Sequence, residues 1–221
     1  MEFKWKKLLS RVWLFDFVPF VDFVLVAGSM AMGNPKEDSD FDVIVGARNG
    51  RIFSARFYCH IFFGLFGWRR KKDTDSKASK DKFCFSHFVT PERYGLSDPH
   101  NEYWKKLYLS LVPVYGDAAD IQKFYDANAG WIGERRIYKN DSWNRYEKTG
   151  LLKNLKEKAL SGSLGNLLEK WLKKIQISRI EESLIRQLAD GKQYKPRIIF
   201  NDGELEFHPD TKRIEEMLNK K

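Results

Sequence analysis

The sequence predicts an α+β protein, and three of its features carry that prediction. Two short apolar runs, residues 23–27 and 43–45, flank a glycine-containing polar segment, which is typical of strand, turn and strand. Apolar residues recur at helical spacing between residues 151 and 188. The turn signal Asn-Asp-Gly at 201–203 predicts a terminal hairpin over residues 195–208.

The same patterns predict how the chain is organised. A small mixed sheet is expected as the core, with strands near residues 22–28, 40–46 and 82–89. We expect this core to occupy residues 1–116. A mostly helical region is expected over 117–221, ending in the hairpin and a short helix.

Further helices are predicted along the chain, some with two interpretations. Residues 2–14 form a basic amphipathic pattern that either packs against the sheet or lies on a membrane surface. Residues 51–67 are strongly apolar, but Arg56 and His60 interrupt them, so we expect a buried helix and no transmembrane segment. Asp117 is a candidate N-cap for a helix over 117–128.

Composition limits the partners and the compartment. The 221-residue chain carries a net charge of +9, which favours an anionic partner such as nucleic acid or a nucleotide, although solubility alone also explains it. The two cysteines, Cys59 and Cys84, do not support a disulfide framework. With no secretory signal in the pattern, we expect a cytoplasmic protein.

Two polar stretches are open to a binding role. Residues 69–82 are charged and low in complexity, which indicates either a solvated loop or a basic flap over polyphosphate. Residues 129–147 interleave aromatic and basic residues, which either anchor a loop in the core or stack on nucleobases.

The segment around residues 23–45 holds the strongest chemical signal. Side chains alternate along a strand, so Asp40 and Asp42 point to one face and Phe41 points to the other. Two carboxylates so close repel each other unless a cation lies between them, and Mg²⁺ prefers such oxygen ligands together with substrate phosphates. Gly28 allows the backbone to approach a ligand closely, and Ser29 follows it. The alternative is a hairpin whose exposed face carries two aspartates by chance.

This arrangement resembles the nucleotidyltransferase superfamily of the DNA polymerase β type. The residues that carry the resemblance are Ala27-Gly28-Ser29, then ten residues, then Asp40-Phe41-Asp42, and the form with Ser39 in front is close to uncharacterised bacterial members. The similarity covers about the first 90 residues. A second, weaker similarity to such proteins lies in the phrase Leu-Glu-Phe-His-Pro-Asp near the C-terminus.

The resemblance implies a function. Asp40 and Asp42 would hold Mg²⁺ or Mn²⁺, and Gly28 and Ser29 would hold the phosphates of a nucleoside triphosphate. The nucleoside monophosphate would pass to a hydroxyl of RNA, of a protein or of a small molecule.

The family pattern includes a third carboxylate, on the strand expected at 82–89. None lies inside that strand here, so the candidates for the third group are Ser86, Asp81 and His87. The gap leaves two other functions open: a nucleotide- or RNA-binding module without catalysis, and an antitoxin-like interaction protein of the same fold.

Acidic residues also recur in the terminal hairpin. Alternation places Glu204, Glu206 and His208 on one face, which is either a second polar group near the site or the solvated face of an edge hairpin.

Overall fold

The computed structural model of the chain describes residues 1–71, 76–98, 100–137, 151–189 and 197–208. Its strands are β1 (Val21–Val26), β2 (Phe41–Ala47), β3 (Phe83–Val89), β4 (Val112–Gly116), β5 (Arg197–Phe200) and β6 (Glu204–His208). Its α-helices are α1 (Glu2–Val12), α2 (Gly28–Ala31), α3 (Ile52–Leu65), α4 (Ser76–Ser79), α5 (Glu102–Ser110), α6 (Ala118–Ile132), α7 (Leu151–Leu160) and α8 (Ser163–Ala189). Short 3₁₀ helices cover Trp13–Phe17 and Pro91–Arg93.

The strands form one six-stranded mixed sheet in the order β4-β1-β2-β3-β6-β5. Strand β1 is antiparallel to both β2 and β4, whereas β2 and β3 are parallel. A parallel pair needs a crossover connection, and α3 lies in the segment that joins β2 to β3. Strand β6 pairs antiparallel with β3 and with β5. The α+β class is therefore confirmed, and the terminal hairpin is part of the central sheet.

Both faces of the sheet are covered. Along β1, Val24 and Val26 belong to one buried cluster and Phe23 and Leu25 belong to the other, as the alternation of a strand requires. The first cluster includes apolar residues of α1, α3 and α8, and the second includes apolar residues of α5 and α6. The sheet is thus a middle layer, which explains why its strands are mostly apolar on both sides.

Several helix predictions are confirmed. The N-terminal helix α1 packs against the sheet through Leu8 and Val12. The buried helix expected for residues 51–67 is confirmed in part: α3 packs into the core through one face, whereas Ile61 and Leu65 are exposed. The Asp117 side chain caps α6 by accepting from the backbone N–H of Ala119 at 2.8 Å. A break separates α7 from α8 at residues 161–162.

Three further predictions concern a membrane span, the C-terminal helix and the domain boundary. None of the helices within the described ranges combines the length and apolarity that a bilayer crossing requires. The predicted C-terminal short helix falls at residues 209–221, outside the described residues. The domain boundary after residue 116 stays a prediction, although strands from both sides of it share the sheet.

Candidate functional site

The turn after β1 brings the backbone directly onto a carboxylate. Gly28 has φ +61°, a conformation that glycine adopts without strain. A Cβ atom built on Gly28 would lie 2.1 Å from Asp42 Oδ2, and the N–H of Ala27 donates to the Asp42 carbonyl at 2.9 Å. A side chain at position 28 would therefore displace Asp42, so this turn requires glycine for both its conformation and its space.

The loop between β1 and β2 folds back so that its two ends meet. The Ser29 hydroxyl donates to the Ser39 hydroxyl at 3.4 Å, and the Ser39 hydroxyl accepts from the N–H of Lys36 at 2.9 Å. Lys4 of α1 donates to the Ser39 carbonyl at 2.8 Å. These contacts hold Ser29 close to the residue that precedes Asp40.

Asp40 and Asp42 lie together, and their third neighbour is Cys84. The register of the parallel pair sets Asp42 beside Cys84, and one ligand atom from each of the three residues lies within 4.8 Å of the others. All three side chains are half-buried, so this group is accessible where the interior strands β2 and β3 begin. We call Asp40, Asp42 and Cys84 the open group.

A protein cation already contacts the open group. Arg70 Nη1 lies 2.7 Å from Asp40 Oδ2 and 3.8 Å from Cys84 Sγ. Burial lowers the pKa of the Arg70 guanidinium, but the charges of Asp40, Cys84 and Asp42 and the hydrogen bond to Asp40 together outweigh that effect and raise the pKa. The guanidinium shows that the two carboxylates attract a positive charge from the side of residues 69–82.

The open group fits Mg²⁺ through its carboxylates only. Asp40 and Asp42 supply the one or two hard oxygen ligands that Mg²⁺ takes from a protein, and Gly28 leaves the Asp42 oxygen uncovered by a side chain. Burial and the charges of Asp42 and Asp40 raise the pKa of the Cys84 thiol to about 12. A neutral thiol is a poor ligand for a hard cation, so Cys84 does not replace a carboxylate.

The three candidates for the third group have separate positions. Ser86 is half-buried on β3 and its side chain hydrogen-bonds that of Cys84. Asp81 is buried and receives hydrogen bonds from Lys4 at 2.9 Å and Lys7 at 2.7 Å. In the described part of the chain, the group around Asp40 and Asp42 includes Cys84 and neither Asp81 nor His87.

The third candidate, His87, belongs to a second group on the same strand. A register shift in β3 sets Asp42 beside Cys84 but Ile44 beside His87. His87 pairs across the sheet with Glu206 of β6, and Glu204 lies two residues away on the same face. The alternative of a solvated hairpin face is wrong for Glu204 and Glu206, because both are buried on the strand that pairs with β3. The side chain of His208 lies outside the described residues.

The sequence alone did not identify Cys84 as the neighbour of Asp42. Its position depends on the register of two parallel strands joined by a long crossover, which no local pattern specifies. No family model, curated protein or solved structure matches this chain.

Proposed function

We propose that the chain transfers a nucleoside monophosphate from a Mg²⁺-bound nucleoside triphosphate to a hydroxyl acceptor. The observation that supports this proposal is the contact of the Gly28 backbone with the carboxylate of Asp42, beside Asp40 and the Ser29–Ser39 contact. A phosphate-binding turn and a metal-binding pair are thereby combined in one partly exposed place. We place the reaction in the cytoplasm, where nucleoside triphosphates are formed.

In this proposal each residue has a defined task. Asp40 and Asp42 hold Mg²⁺ (or Mn²⁺), which supplies positive charge beside the reacting phosphate. Gly28 and Ser29 position the β- and γ-phosphates. The acceptor oxygen forms a bond to the α-phosphorus, the bond from that phosphorus to the bridging oxygen breaks, and pyrophosphate leaves. The proton of the acceptor hydroxyl passes to solvent, because the residue beside the pair is the thiol of Cys84.

Arg70 has a role that the sequence pattern did not assign. Its ion pair uses Asp40 Oδ2, and a metal ion bound by the same carboxylate would compete with the guanidinium. The freed guanidinium is then close enough to contact the phosphates of the nucleotide, because it starts 2.7 Å from a metal ligand. This agrees with the interpretation of residues 69–82 as a basic flap.

One observation favours a second function. Because the third residue beside Asp40 and Asp42 is a cysteine and not a carboxylate, the site is also compatible with nucleotide binding without transfer. Such a module would bind a nucleotide in the presence of Mg²⁺ and release it unchanged. An antitoxin-like role with a protein partner is a further member of this class.

The test is label transfer. Purified protein is incubated with each α-³²P-labelled nucleoside triphosphate, Mg²⁺ and RNA, protein and small-molecule fractions of a lysate. We expect label in one fraction, and we expect Asp42→Asn to reduce its rate about 10³-fold, since the metal contributes several kcal/mol of charge stabilisation. The matched control is Glu37→Gln, which removes an exposed carboxylate of the same loop and should leave the rate unchanged. Equal rates in Asp42→Asn and wild type would refute the proposal.

A further inference from the structure

Two glutamates and a histidine form a buried polar group between β3 and β6. His87, Glu204 and Glu206 are 3%, 1% and 0% exposed. One ligand atom from each lies within 4.8 Å of the other two. We call these three residues the closed group. It is separate from the open group but lies on the same face of the sheet, because Cys84 and His87 both follow that face of β3.

The two carboxylates of the closed group repel each other, and a bound cation would remove that repulsion. Two carboxylates within 4.8 Å of each other repel, and burial increases the repulsion because water no longer screens it. Glu204 Oε1 accepts no hydrogen bond from any residue that the structure describes, although it is buried and lies 3.4 Å from His87 Nε2. The other oxygen of Glu204 accepts from the Ser97 hydroxyl at 3.4 Å, so Oε1 is the atom that faces the group.

We propose that His87, Glu204 and Glu206 bind one divalent transition-metal ion of the Zn²⁺ type. An imidazole nitrogen with two carboxylate oxygens is a ligand set for Zn²⁺ and similar ions, whereas Mg²⁺ favours oxygen ligands alone. Because all three ligands are buried, the protein would enclose the ion, and the fourth position of a tetrahedral ion would be left for a water molecule. The proposal is independent of nucleotidyl transfer and holds for a binding module as well.

The ion would fasten the terminal hairpin to the rest of the sheet. His87 belongs to β3, and both glutamates belong to β6, which is far away in the sequence. A metal ion that binds the folded chain only stabilises it by mass action. We therefore expect the metal to raise the melting temperature and to protect β6 from hydrogen exchange.

The experiment first removes the open group, because its carboxylates and thiol also attract transition metals. The triple variant Asp40→Asn/Asp42→Asn/Cys84→Ser is stripped with a chelator and titrated with Zn²⁺ and Co²⁺ by calorimetry. We expect one site per chain. We expect the further change Glu206→Gln to weaken it at least about tenfold, because one ligand is lost. The matched control is Glu181→Gln, an exposed glutamate of α8, which should leave the affinity unchanged.

Melting temperature shows whether the variant has failed to fold. Glutamine has the shape of glutamate without its charge, and a cooperative melting transition of metal-free Glu206→Gln would show that the variant folds. Zn²⁺ should raise the melting temperature of the parent and not that of the variant. If Glu206→Gln does not fold, His87→Gln replaces it as the ligand-loss variant. A parent that takes up no Zn²⁺, or a ligand-loss variant that binds it equally well, would overturn the proposal and leave a shared proton as the neutralising group.

Discussion

The open group and the closed group lie on the same face of neighbouring strands, yet they differ in access. The side chains of Asp40, Asp42 and Cys84 are half-buried where β1 ends, whereas His87 and its two glutamates are fully buried. The first group is open to a ligand from solvent, whereas the second is enclosed by the protein. This difference in access is why we propose a substrate-completed metal site for the open group and a metal site enclosed by the protein for the closed group.

Strand β3 contributes to both groups because of a single irregularity. The register shift after Cys84 changes the pairing of β3 with β2 by one residue before His87 is reached. With regular alternation from Cys84, Ser86 would take the position on this face and His87 would point to the opposite face. The irregularity thus places His87 in the closed group, on the same face as Cys84, which pairs with Asp42 before the shift.

The largest effect on stability is expected at Asp81, a buried carboxylate that belongs to neither group and is paired with Lys4 and Lys7. Burial raises the pKa of Asp81, but hydrogen bonds and charges from Lys7 and Lys4 outweigh it, so the pKa lies below its usual range. Asp81→Asn should cost about 3 kcal/mol of unfolding free energy at pH 7, because two lysines lose a buried partner. Asparagine tolerates the φ of +57° at this position, so the change isolates the charge.

Asp81 should also make the free energy of unfolding depend on pH. A carboxyl whose pKa is lower in the folded state contributes stability above its unfolded pKa of about 3.9, and this contribution is lost as the pH falls through the folded value. Denaturant titrations would measure the free energy of unfolding of both proteins between pH 6 and 2, in steps of about one pH unit. This free energy should fall more for wild type than for Asp81→Asn. Parallel curves for the two proteins would show that the lysines do not stabilise the carboxylate.

Two glycine substitutions, at Gly28 and at Gly50, test whether the turn after β1 positions the Asp42 carboxylate. Gly28→Ala places a methyl group onto the Asp42 carboxylate at φ +61°, whereas Gly50→Ala meets a similar φ of +67° with open space around it. Both should lose about 1–2 kcal/mol from backbone strain. Only Gly28→Ala should also abolish Mg²⁺-dependent nucleotide binding, which calorimetry would measure. Retained binding in Gly28→Ala would show that the turn does not position Asp42.

The smallest effect is expected from restoring a carboxylate on β3. Cys84→Asp should raise the affinity for Mg²⁺ about tenfold and increase transfer, because a hard ligand replaces a neutral thiol beside Asp42. Ser86→Asp, the position that the sequence favoured, should change the affinity less. The opposite order would place the functional third position at Ser86.

The sequence predicted the local features and missed those that depend on register. Strands β1 to β3, the capping by Asp117 and the terminal hairpin follow from patterns of a few residues, and the structure confirms them. The adjacency of Asp40, Asp42, Gly28 and Ser29 follows from one strand–turn–strand unit in the same way. Cys84 beside Asp42 and Glu206 beside His87 depend on pairing between distant strands, and no local periodicity specifies that pairing.

Mg²⁺-dependent binding of a non-hydrolysable nucleoside triphosphate tests the distinction between the two groups most directly. Calorimetry would compare wild type, Asp40→Asn/Asp42→Asn and Glu204→Gln/Glu206→Gln, each verified as folded by circular dichroism. We predict that the double aspartate variant loses binding and that the double glutamate variant keeps it. Binding that survives loss of both aspartates, or that disappears with the two glutamates alone, would contradict the assignment of the open group as the nucleotide site.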